Sequence, residues 1–193
     1  GLVTVKTVGV LALQGSFIEH LELLNRIDGV RGIPVKSRSA LRNIDGLILP
    51  GGESTTQGKL LRDFNLLVPL RELILHGLPV WGTCAGMILL AKEIAGGEPT
   101  HLNVMDITVR RNAYGGQLDS FADSAVIPAV SPEPIPLVFI RAPWIERTGK
   151  NVRRLAVLNG KIIAAQEGKM LATSFHPELT EDLRFHRYFA GLL

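Results

Sequence analysis

Three residues of this sequence have the types and the spacing of a nucleophilic catalytic set: Cys84, His176 and Glu178. Cys84 is the single cysteine and lies in Gly82-Thr-Cys-Ala-Gly86, a glycine-x-nucleophile-x-glycine sequence with cysteine in the place of serine. A cysteine nucleophile needs a base and a group that orients the base. The sequence His176-Pro-Glu178 offers both, because an imidazole can take the thiol proton while a carboxylate holds the ring.

The sequence around Cys84 predicts a sharp turn between a short strand, residues 79–83, and a helix, residues 85–94. Such a turn lifts the sulfur out at the carboxyl edge of a sheet, where open α/β sheets bind their ligands. The helix N-terminus favours a thiolate, and the amide of Ala85 would point towards an oxyanion. The alternative is a buried structural cysteine, which is the commoner role of a lone cysteine. With one cysteine, no intramolecular disulfide can form.

His176 and Glu178 follow a predicted strand over residues 170–174. Residues i and i+2 of a strand share a face, so the carboxylate of Glu178 can hold one nitrogen of His176 while the other faces the sulfur. The alternative is a surface histidine beside a glutamate that starts a helix. The other histidines, His20, His76, His101 and His186, lack an acid at this spacing and are predicted to be surface or cap residues.

A glycine-rich turn, Gly51-Gly-Glu-Ser54, follows the predicted strand over residues 44–49 and therefore lies on the same edge as Cys84. Adjacent glycines let backbone amides approach a ligand, and the amide of Gly52 could complete an oxyanion hole with Ala85. The alternative is an ordinary turn. The spacing matches neither a P-loop nor a dinucleotide-binding sequence.

Short apolar strands alternate with helical patterns through the first half of the chain. Strands are predicted over residues 8–13, 30–36, 44–49 and 79–83, with helices starting near Phe17 (Ser16 and Glu19 forming a capping box), over 57–76 and over 85–94. This alternation predicts a three-layer α/β fold with a mostly parallel central sheet. The length, 193 residues, fits one domain covering residues 1–193.

The second half predicts short strands that add a few antiparallel members to the sheet. They cover residues 105–110, 137–140, 152–159, 161–166 and 170–174, with a hairpin turn at Asn159-Gly160. Four prolines predict an extended loop over residues 124–136. A last helix is expected after Thr180 as its N-cap.

Charge and hydropathy exclude several classes of protein. The net charge is +3, from 21 basic and 18 acidic residues, but the basic residues are scattered, so no nucleic-acid partner is expected. No run of eighteen apolar residues and no signal-peptide pattern is present, which predicts a cytoplasmic protein without a membrane span. No metal-ligand spacing or nucleotide motif is present, so we expect no metal and no cofactor.

Six segments occur in a fixed order: Leu11-Ala-Leu-Gln-Gly15, Leu49-Pro-Gly-Gly-Glu-Ser-Thr-Thr56, Gly82-Thr-Cys-Ala-Gly86, Arg111-Asn112, Phe139-Ile-Arg-Ala-Pro143 and Ser174-Phe-His-Pro-Glu-Leu-Thr180. From near residue 8 to the end, the chain closely resembles the glutaminase subunits of pyridoxal 5'-phosphate synthases, which are class I (triad) glutamine amidotransferases. The sharp turn at Gly82-Thr-Cys-Ala-Gly86, called a nucleophile elbow, and the sequence His-Pro-Glu are shared by class I enzymes at large. The second, fifth and sixth segments point to the vitamin B6 branch. The resemblance implies a flavodoxin-like form of the three-layer fold.

The resemblance also implies a reaction, the hydrolysis of L-glutamine to L-glutamate and ammonia through a thioester. Cys84 would attack the side-chain amide carbon, His176 would move the proton, and Glu178 would orient His176. Gly52 and Ala85 would hold the oxyanion. By the family's pattern the glutamine is held by Gly52, Glu53, Ser54, Arg111, Ile140 and Arg141. An anion together with arginines suits a zwitterionic amino acid.

The resemblance further implies a protein partner. In this family the ammonia passes to a (β/α)8-barrel synthase subunit, in a ring of twelve synthase subunits that carries twelve glutaminases. The family's glutaminase is nearly idle until it docks, because its oxyanion region is incomplete alone. Gln14-Gly15 matches the segment implicated in that activation, although a plain strand-to-helix turn explains it equally well.

Two other functions are compatible with parts of this pattern. A cysteine peptidase, a glyoxalase-like protein or another elbow-type hydrolase would use Cys84 but would not need Glu53, Arg111 and Arg141 together. A binding protein with a flavodoxin-like sheet could use the glycine turns to hold a phosphate, which would make the Cys-His-Glu order a coincidence.

Overall fold

The computed structural model describes residues 4–111 and 120–193. Its strands are β1 (Lys6–Leu11), β2 (Val30–Val35), β3 (Gly46–Leu49), β4 (Val80–Thr83), β5 (Ala91–Ile94), β6 (Met105–Arg110), β7 (Ser120–Ile127), β8 (Ser131–Ile140), β9 (Trp144–Thr148), β10 (Arg153–Leu158), β11 (Lys161–Glu167) and β12 (Met170–Thr173). Its helices are α1 (Phe17–Leu24), α2 (Ser54–Asp63), α3 (Leu67–Leu75), α4 (Ala85–Leu90) and α5 (Arg184–Ala190), with 3-10 helices at Ser39–Asn43 and Pro177–Leu179. Asn112, part of one sequence segment above, lies outside the described residues.

Within these residues, ten strands form one sheet in the order β2-β1-β3-β4-β12-β11-β9-β6-β5, with β10 beside β11. The strands from β2 to β12 in this order are all parallel. Strands β11, β9 and β6 then pair antiparallel, and β5 is parallel to β6. The prediction of an α/β fold with a mostly parallel sheet and some antiparallel strands in the second half is confirmed.

Both faces of the sheet are covered, because its strand residues alternate between two apolar clusters. Leu47 and Leu49 of β3 pack with residues of α2, α3 and α4 on one face. Ile48 between them packs on the other face with residues of α1, α5 and the β7–β8 hairpin. A central strand buried on both sides reads as a continuous apolar run, which is why the strand patterns were recognisable in the sequence.

Residues 124–136 do not form the extended loop that the prolines predict. They belong to β7 and β8, which pair as a separate two-stranded antiparallel sheet. Three alternate positions of β8 are proline, namely Pro132, Pro134 and Pro136. The carbonyls of Pro134 and Val138 accept hydrogen bonds from residues outside β7. The alternate positions 132, 134, 136 and 138 therefore direct their backbone N–H and C=O positions away from β7. The missing proline N–H groups therefore remove no hydrogen bond from the β7–β8 ladder.

Two predicted helices end earlier than expected. The helix expected over residues 57–76 is two helices, α2 and α3, separated at Asn65, whose φ is 56°. The helix expected over 85–94 stops at Leu90, because residues 91–94 pair with β6 as strand β5.

Among the described residues, none of the helices combines the length and the apolar character needed to cross a membrane.

The last helix begins at Arg184 instead of directly after Thr180. The hydroxyl of Thr180 donates to the Pro177 carbonyl at 2.8 Å and accepts from the amide of Asp182, so it closes a turn instead of capping α5. The hairpin predicted at Asn159-Gly160 is confirmed, since both residues have positive φ, 52° and 77°, between β10 and β11.

The turn at Cys84 has the strained backbone that the sequence predicts for an elbow. Cys84 adopts φ 53° and ψ −107°, a conformation that costs an ordinary residue of order 1–3 kcal/mol. Its amide donates to the Thr173 carbonyl at 2.8 Å, which ties the turn to β12. Gly86 lets α4 pack directly on β3, because a Cβ there would lie 2.0 Å from the Leu49 carbonyl oxygen.

We expect Gly86→Ala to lower the free energy of unfolding by about 3 kcal/mol, because either the α4 backbone or the end of β3 must shift. Urea denaturation measures the change. Gly191→Ala is the matched control, since Gly191 has a φ of −68° and the nearest atom to its Cβ position is 3.3 Å away. We expect the control to change stability by less than about 1 kcal/mol. Equal effects of the two variants would show that the close approach at Gly86 is not a packing constraint.

Candidate active site

The candidate site lies at the carboxyl ends of four adjacent parallel strands, β1, β3, β4 and β12. Gln14 and Gly15 follow β1, the turn at residues 51–54 follows β3, Cys84 follows β4 and His176 follows β12. Carboxyl ends of parallel strands meet at one edge, so the strand order brings together segments that are up to about 160 residues apart in the chain.

His176 and Glu178 form the predicted base and orienting pair. His176 Nδ1 and Glu178 Oε2 are 2.9 Å apart, and both side chains are buried. The predicted reason for their closeness, that residues i and i+2 of a strand share a face, is wrong. Glu178 lies in the 3-10 helix Pro177–Leu179, and the turn of that helix brings the carboxylate back to the ring. The backbone of His176 is fixed by donation of its amide to the Val138 carbonyl at 2.8 Å.

Cys84 is buried, with 6% of its surface exposed, and its Sγ lies 3.8 Å from the Ile140 carbonyl oxygen as a weak donor. Cys84 and His176 line the same cleft. His176 Nε2 is buried and lacks a partner at hydrogen-bonding geometry among the described residues.

The pKa values of His176 and Glu178 are shifted in opposite directions. Burial lowers the pKa of His176, but its interactions with Cys84 and Glu178 outweigh burial and raise that pKa to about 10. Burial raises the pKa of Glu178, but the electrostatic interaction with the neighbouring His20, the charge of His176 and hydrogen bonds from His176 and Ser16 lower it to about 2. The site thus stabilises a protonated imidazole against an ionised carboxylate.

Ser16 is a site residue that the sequence did not reveal. It precedes α1, but its side chain caps no helix amide, so the predicted capping box with Glu19 is wrong. Its hydroxyl instead donates to Glu178 Oε2 at 2.8 Å. The contact joins residues 162 positions apart, and no local pattern indicates such a pairing.

His20 and His186 are fully buried, so the prediction that they are surface or cap residues is wrong. His20 Nε2 lies 3.6 Å from Glu178 Oε2, directly behind the triad. A signal was present in the sequence, because His20 lies one turn after Phe17 and one turn before Leu24 on the apolar stripe of α1. His186 likewise lies between Phe185 and Phe189 on α5.

The glycine turn contacts the base directly. A Cβ at Gly51 would lie 2.3 Å from a carbon of the His176 ring, so only glycine leaves room for the ring. The Gly51 carbonyl accepts from the Ser16 amide at 3.0 Å. Because the carbonyl and N–H of one trans peptide point in opposite directions, the Gly52 N–H is directed away from Ser16.

Glu53 and Arg111 are neighbours at the mouth of the site. The Glu53 carboxylate accepts hydrogen bonds from Thr55 and Thr56 as the N-cap of α2, and it pairs with Arg111 at 3.4 Å. The hydrogen bond from the Thr56 side chain is the main reason that the pKa of Glu53 falls to about 2. Ser54 is buried, and its hydroxyl has no partner among the described residues.

A cleft of about 460 Å³ joins these residues. Its lining includes the predicted Gly15, Gly52, Glu53, Ser54, Cys84, Ala85, Arg111, Ile140, Arg141 and His176, together with the unpredicted Ser16, Gly51, Ile88 and Pro143. Glu178 lies behind His176, and Gln14 contributes from outside by accepting from the Glu53 amide at 2.9 Å. A larger cavity of about 840 Å³, beside α3, contains no member of the triad, so volume does not identify the site.

No cluster of His, Cys, Asp or Glu within residues 4–111 and 120–193 is arranged to hold a metal ion.

Comparison with known proteins gives consistent matches along almost the whole chain. The sequence model of the SNO glutamine amidotransferase family matches residues 10–192. A protein of Clostridium botulinum described as pyridoxal 5'-phosphate synthase subunit PdxT is 58% identical, covering 94% of each chain. A protein of Clostridium kluyveri with the same description is 56% identical, covering 94% of this chain and 96% of the relative. A solved structure described as a glutamine amidotransferase superposes with a TM-score of 0.90 at 46% identity, covering 96% of this chain and 97% of the other.

The lowered pKa of Glu178 predicts an acid-sensitive stability. Its stabilising effect is present above the unfolded value of about 4.5 and is lost as the pH falls towards about 2. Between pH 5 and 3 we expect the free energy of unfolding of the natural protein to fall more steeply than that of Glu178→Gln, by up to about 1.4 kcal/mol per pH unit. Urea denaturation over this range measures both slopes. Glu181→Gln, at an exposed glutamate, is the control and should keep the natural slope; parallel slopes for natural protein and Glu178→Gln would contradict the prediction.

Proposed function

The chain belongs to the SNO glutamine amidotransferase family, and we propose that its Cys84 site hydrolyses L-glutamine to L-glutamate and ammonia for a pyridoxal 5'-phosphate synthase. The observation that carries this proposal is the geometry of the base, with His176 Nδ1 held 2.9 Å from Glu178 beside the elbow of Cys84. The PdxT relatives, at 58% and 56% identity, supply the context of the synthase.

The raised pKa of His176 favours transfer of the Cys84 thiol proton to its Nε2, which leaves a thiolate beside an imidazolium. The sulfur then attacks the side-chain amide carbon of glutamine and forms a tetrahedral oxyanion. When that intermediate collapses, the carbon–nitrogen bond breaks, and the nitrogen leaves as ammonia with the proton from His176. A thioester remains on Cys84. Water attacks it with His176 as base, and glutamate is released as the thiol is restored.

Glu178 contributes by holding His176, and it stabilises the imidazolium that exists between the two proton transfers. A carboxylate in this role keeps its own charge throughout. Its low pKa, near 2, fits that role, because the carboxylate stays ionised while the ring gains and loses a proton.

The oxyanion is assigned to the amides of Ala85 and Gly52. Ala85 is the first residue of α4, and the first amides of a helix have no partner within the helix. Gly52 lies across the same cleft, in a turn that a side chain at Gly51 would disrupt by contact with His176. Two amides directed at the oxyanion would stabilise negative charge where it develops.

The glutamine would be bound at the charged mouth of the cleft. Glu53 suits the substrate ammonium group, and Arg111 and Arg141 suit its carboxylate. Gly52, Ser54 and Ile140 complete the assigned contacts. Arg141 has a φ of 45°, a conformation that costs a non-glycine residue free energy and is therefore a reason to assign it a function.

The ammonia would pass to a (β/α)8-barrel synthase subunit, in an assembly of twelve barrels and twelve glutaminases. Gln14 and Gly15 are the proposed point of activation by that partner. Gln14 Oε1 accepts from the Glu53 amide, and a Cβ at Gly15 would lie 2.0 Å from the Gly51 carbonyl. A shift of this segment on docking would therefore move the turn that carries Gly52.

Cys84→Ala is expected to lower ammonia release from glutamine by at least a thousandfold in the presence of the barrel subunit, because no other group can form the thioester. A coupled glutamate dehydrogenase assay measures the ammonia. Val157→Ala, an exposed position on β10, is the control and should retain the natural rate. Release by Cys84→Ala at the natural rate would refute the assignment of the nucleophile.

Arg141→Ala is expected to raise the KM for glutamine about tenfold with a smaller change in kcat, because a charged hydrogen bond to the substrate carboxylate is lost. Steady-state ammonia release in the presence of the barrel subunit gives both constants. Arg31→Ala, at an exposed arginine on β2, should leave both unchanged. An unchanged KM in Arg141→Ala would remove that residue from the binding site.

A further inference from the structure

Two buried histidines lie behind the triad and have no part in the mechanism above. His20 on α1 and His186 on α5 are both 0% exposed. His20 Nδ1 and His186 Nε2 are 2.8 Å apart, which is a hydrogen bond within the apolar layer between the two helices. Polar side chains buried among apolar ones cost free energy unless they are paired, so this pair calls for a physical reason.

The other nitrogen of His20 faces the triad. His20 Nε2 is 3.6 Å from Glu178 Oε2 and 3.5 Å from the Thr83 hydroxyl. Its ring also packs edge to face with Trp81, with ring centres 5.7 Å apart. His20 therefore links two elements: His186 on α5 and the carboxylate that orients the catalytic base.

The hydrogen-bond partners determine which nitrogen carries the proton. If His20 Nδ1 donated to His186, the lone pair of His20 Nε2 would face the anionic carboxylate, and His186 Nδ1 would be a buried donor. His186 Nδ1 has no partner within the described residues, and a buried donor without a partner is costly. If His186 Nε2 donates instead, His20 Nε2 carries its proton towards Glu178, and His186 Nδ1 is left only with an unused lone pair.

We propose that His20 is a positioning residue for the triad: His186 fixes it as the Nε2–H tautomer, and its N–H dipole stabilises the charge and the orientation of the Glu178 carboxylate. The inference rests on the proposed function, because it assigns His20 a role in that same site. Glu178 Oε2 would then be hydrogen-bonded to His176 and Ser16 and would face the His20 N–H at 3.6 Å.

The charges around the pair agree with neutral rings. Burial lowers the pKa of His20 in spite of the attraction of Glu178 and Glu19, and the charge of His176 lowers it further. Burial lowers the pKa of His186 still more strongly. With both rings of the pair neutral, His176 is the positively charged partner of Glu178. His20 therefore supports the carboxylate with a neutral N–H group and does not replace His176 as its charged partner.

Kinetics test the positioning role in the complex of this chain with the barrel subunit. His20→Leu should lower kcat for ammonia release roughly tenfold with little change in KM, because His20 does not line the glutamine cleft. His20→Gln, which keeps an N–H near the same place, should recover most of the loss. Leu70→Ala, which opens a cavity on the opposite face of the sheet, controls for destabilisation alone and should keep the natural kcat.

Nitrogen-15 spectra of the isolated, histidine-labelled chain test the tautomer independently of activity. We expect a His20 resonance pair in which Nε2 is protonated and Nδ1 accepts a hydrogen bond, unchanged from pH 6 to 8. A protonated Nδ1, or an imidazolium, would overturn the proposal. A natural complex that releases no ammonia overturns the proposed function. A His20→Leu complex as fast as an active natural complex overturns only the positioning role.

Discussion

The site depends on the parallel alignment of β4 with β12. Trp81 lies opposite Leu171 and Thr83 opposite Thr173, so the two strands end level with each other. The Cys84 amide continues this ladder with one more hydrogen bond, to the Thr173 carbonyl. The nucleophile and the base therefore leave the sheet from adjacent strands in one register, and a slip of one residue would separate them.

The carboxylate of Glu178 is a second point on which distant elements converge. Ser16 arrives from the start of α1, His20 from the middle of that helix, and His176 from the end of β12. Glu178 Oε1 is buried without a hydrogen-bond partner in the described part of the chain, so the contacts all gather on Oε2. The surrounding hydrogen bonds and charges stabilise this buried carboxylate. The same contacts hold α1 against the loop that follows β12.

The sequence was sufficient for those parts of the site that depend on local patterns. The elbow at Cys84 is specified by small residues beside a strained turn, and buried parallel strands appear as unbroken apolar runs. Contacts that depend on tertiary packing were not accessible. Ser16 has the local pattern of a helix cap, and only the fold brings it to Glu178. His20 was misassigned because a polar side chain on an apolar stripe was given an exposed role, although its helical position indicated burial.

Within the described residues, strand β8 pairs only with β7, so its other edge has no strand beside it. An exposed strand edge normally presents N–H and C=O groups on which another chain can extend the sheet and start a fibril. Along the outer side of β8, every donor at Pro132, Pro134 and Pro136 is absent, and the Pro134 carbonyl is already bound by Arg184. The same prolines that obscured this strand in the sequence make it a poor template for aggregation.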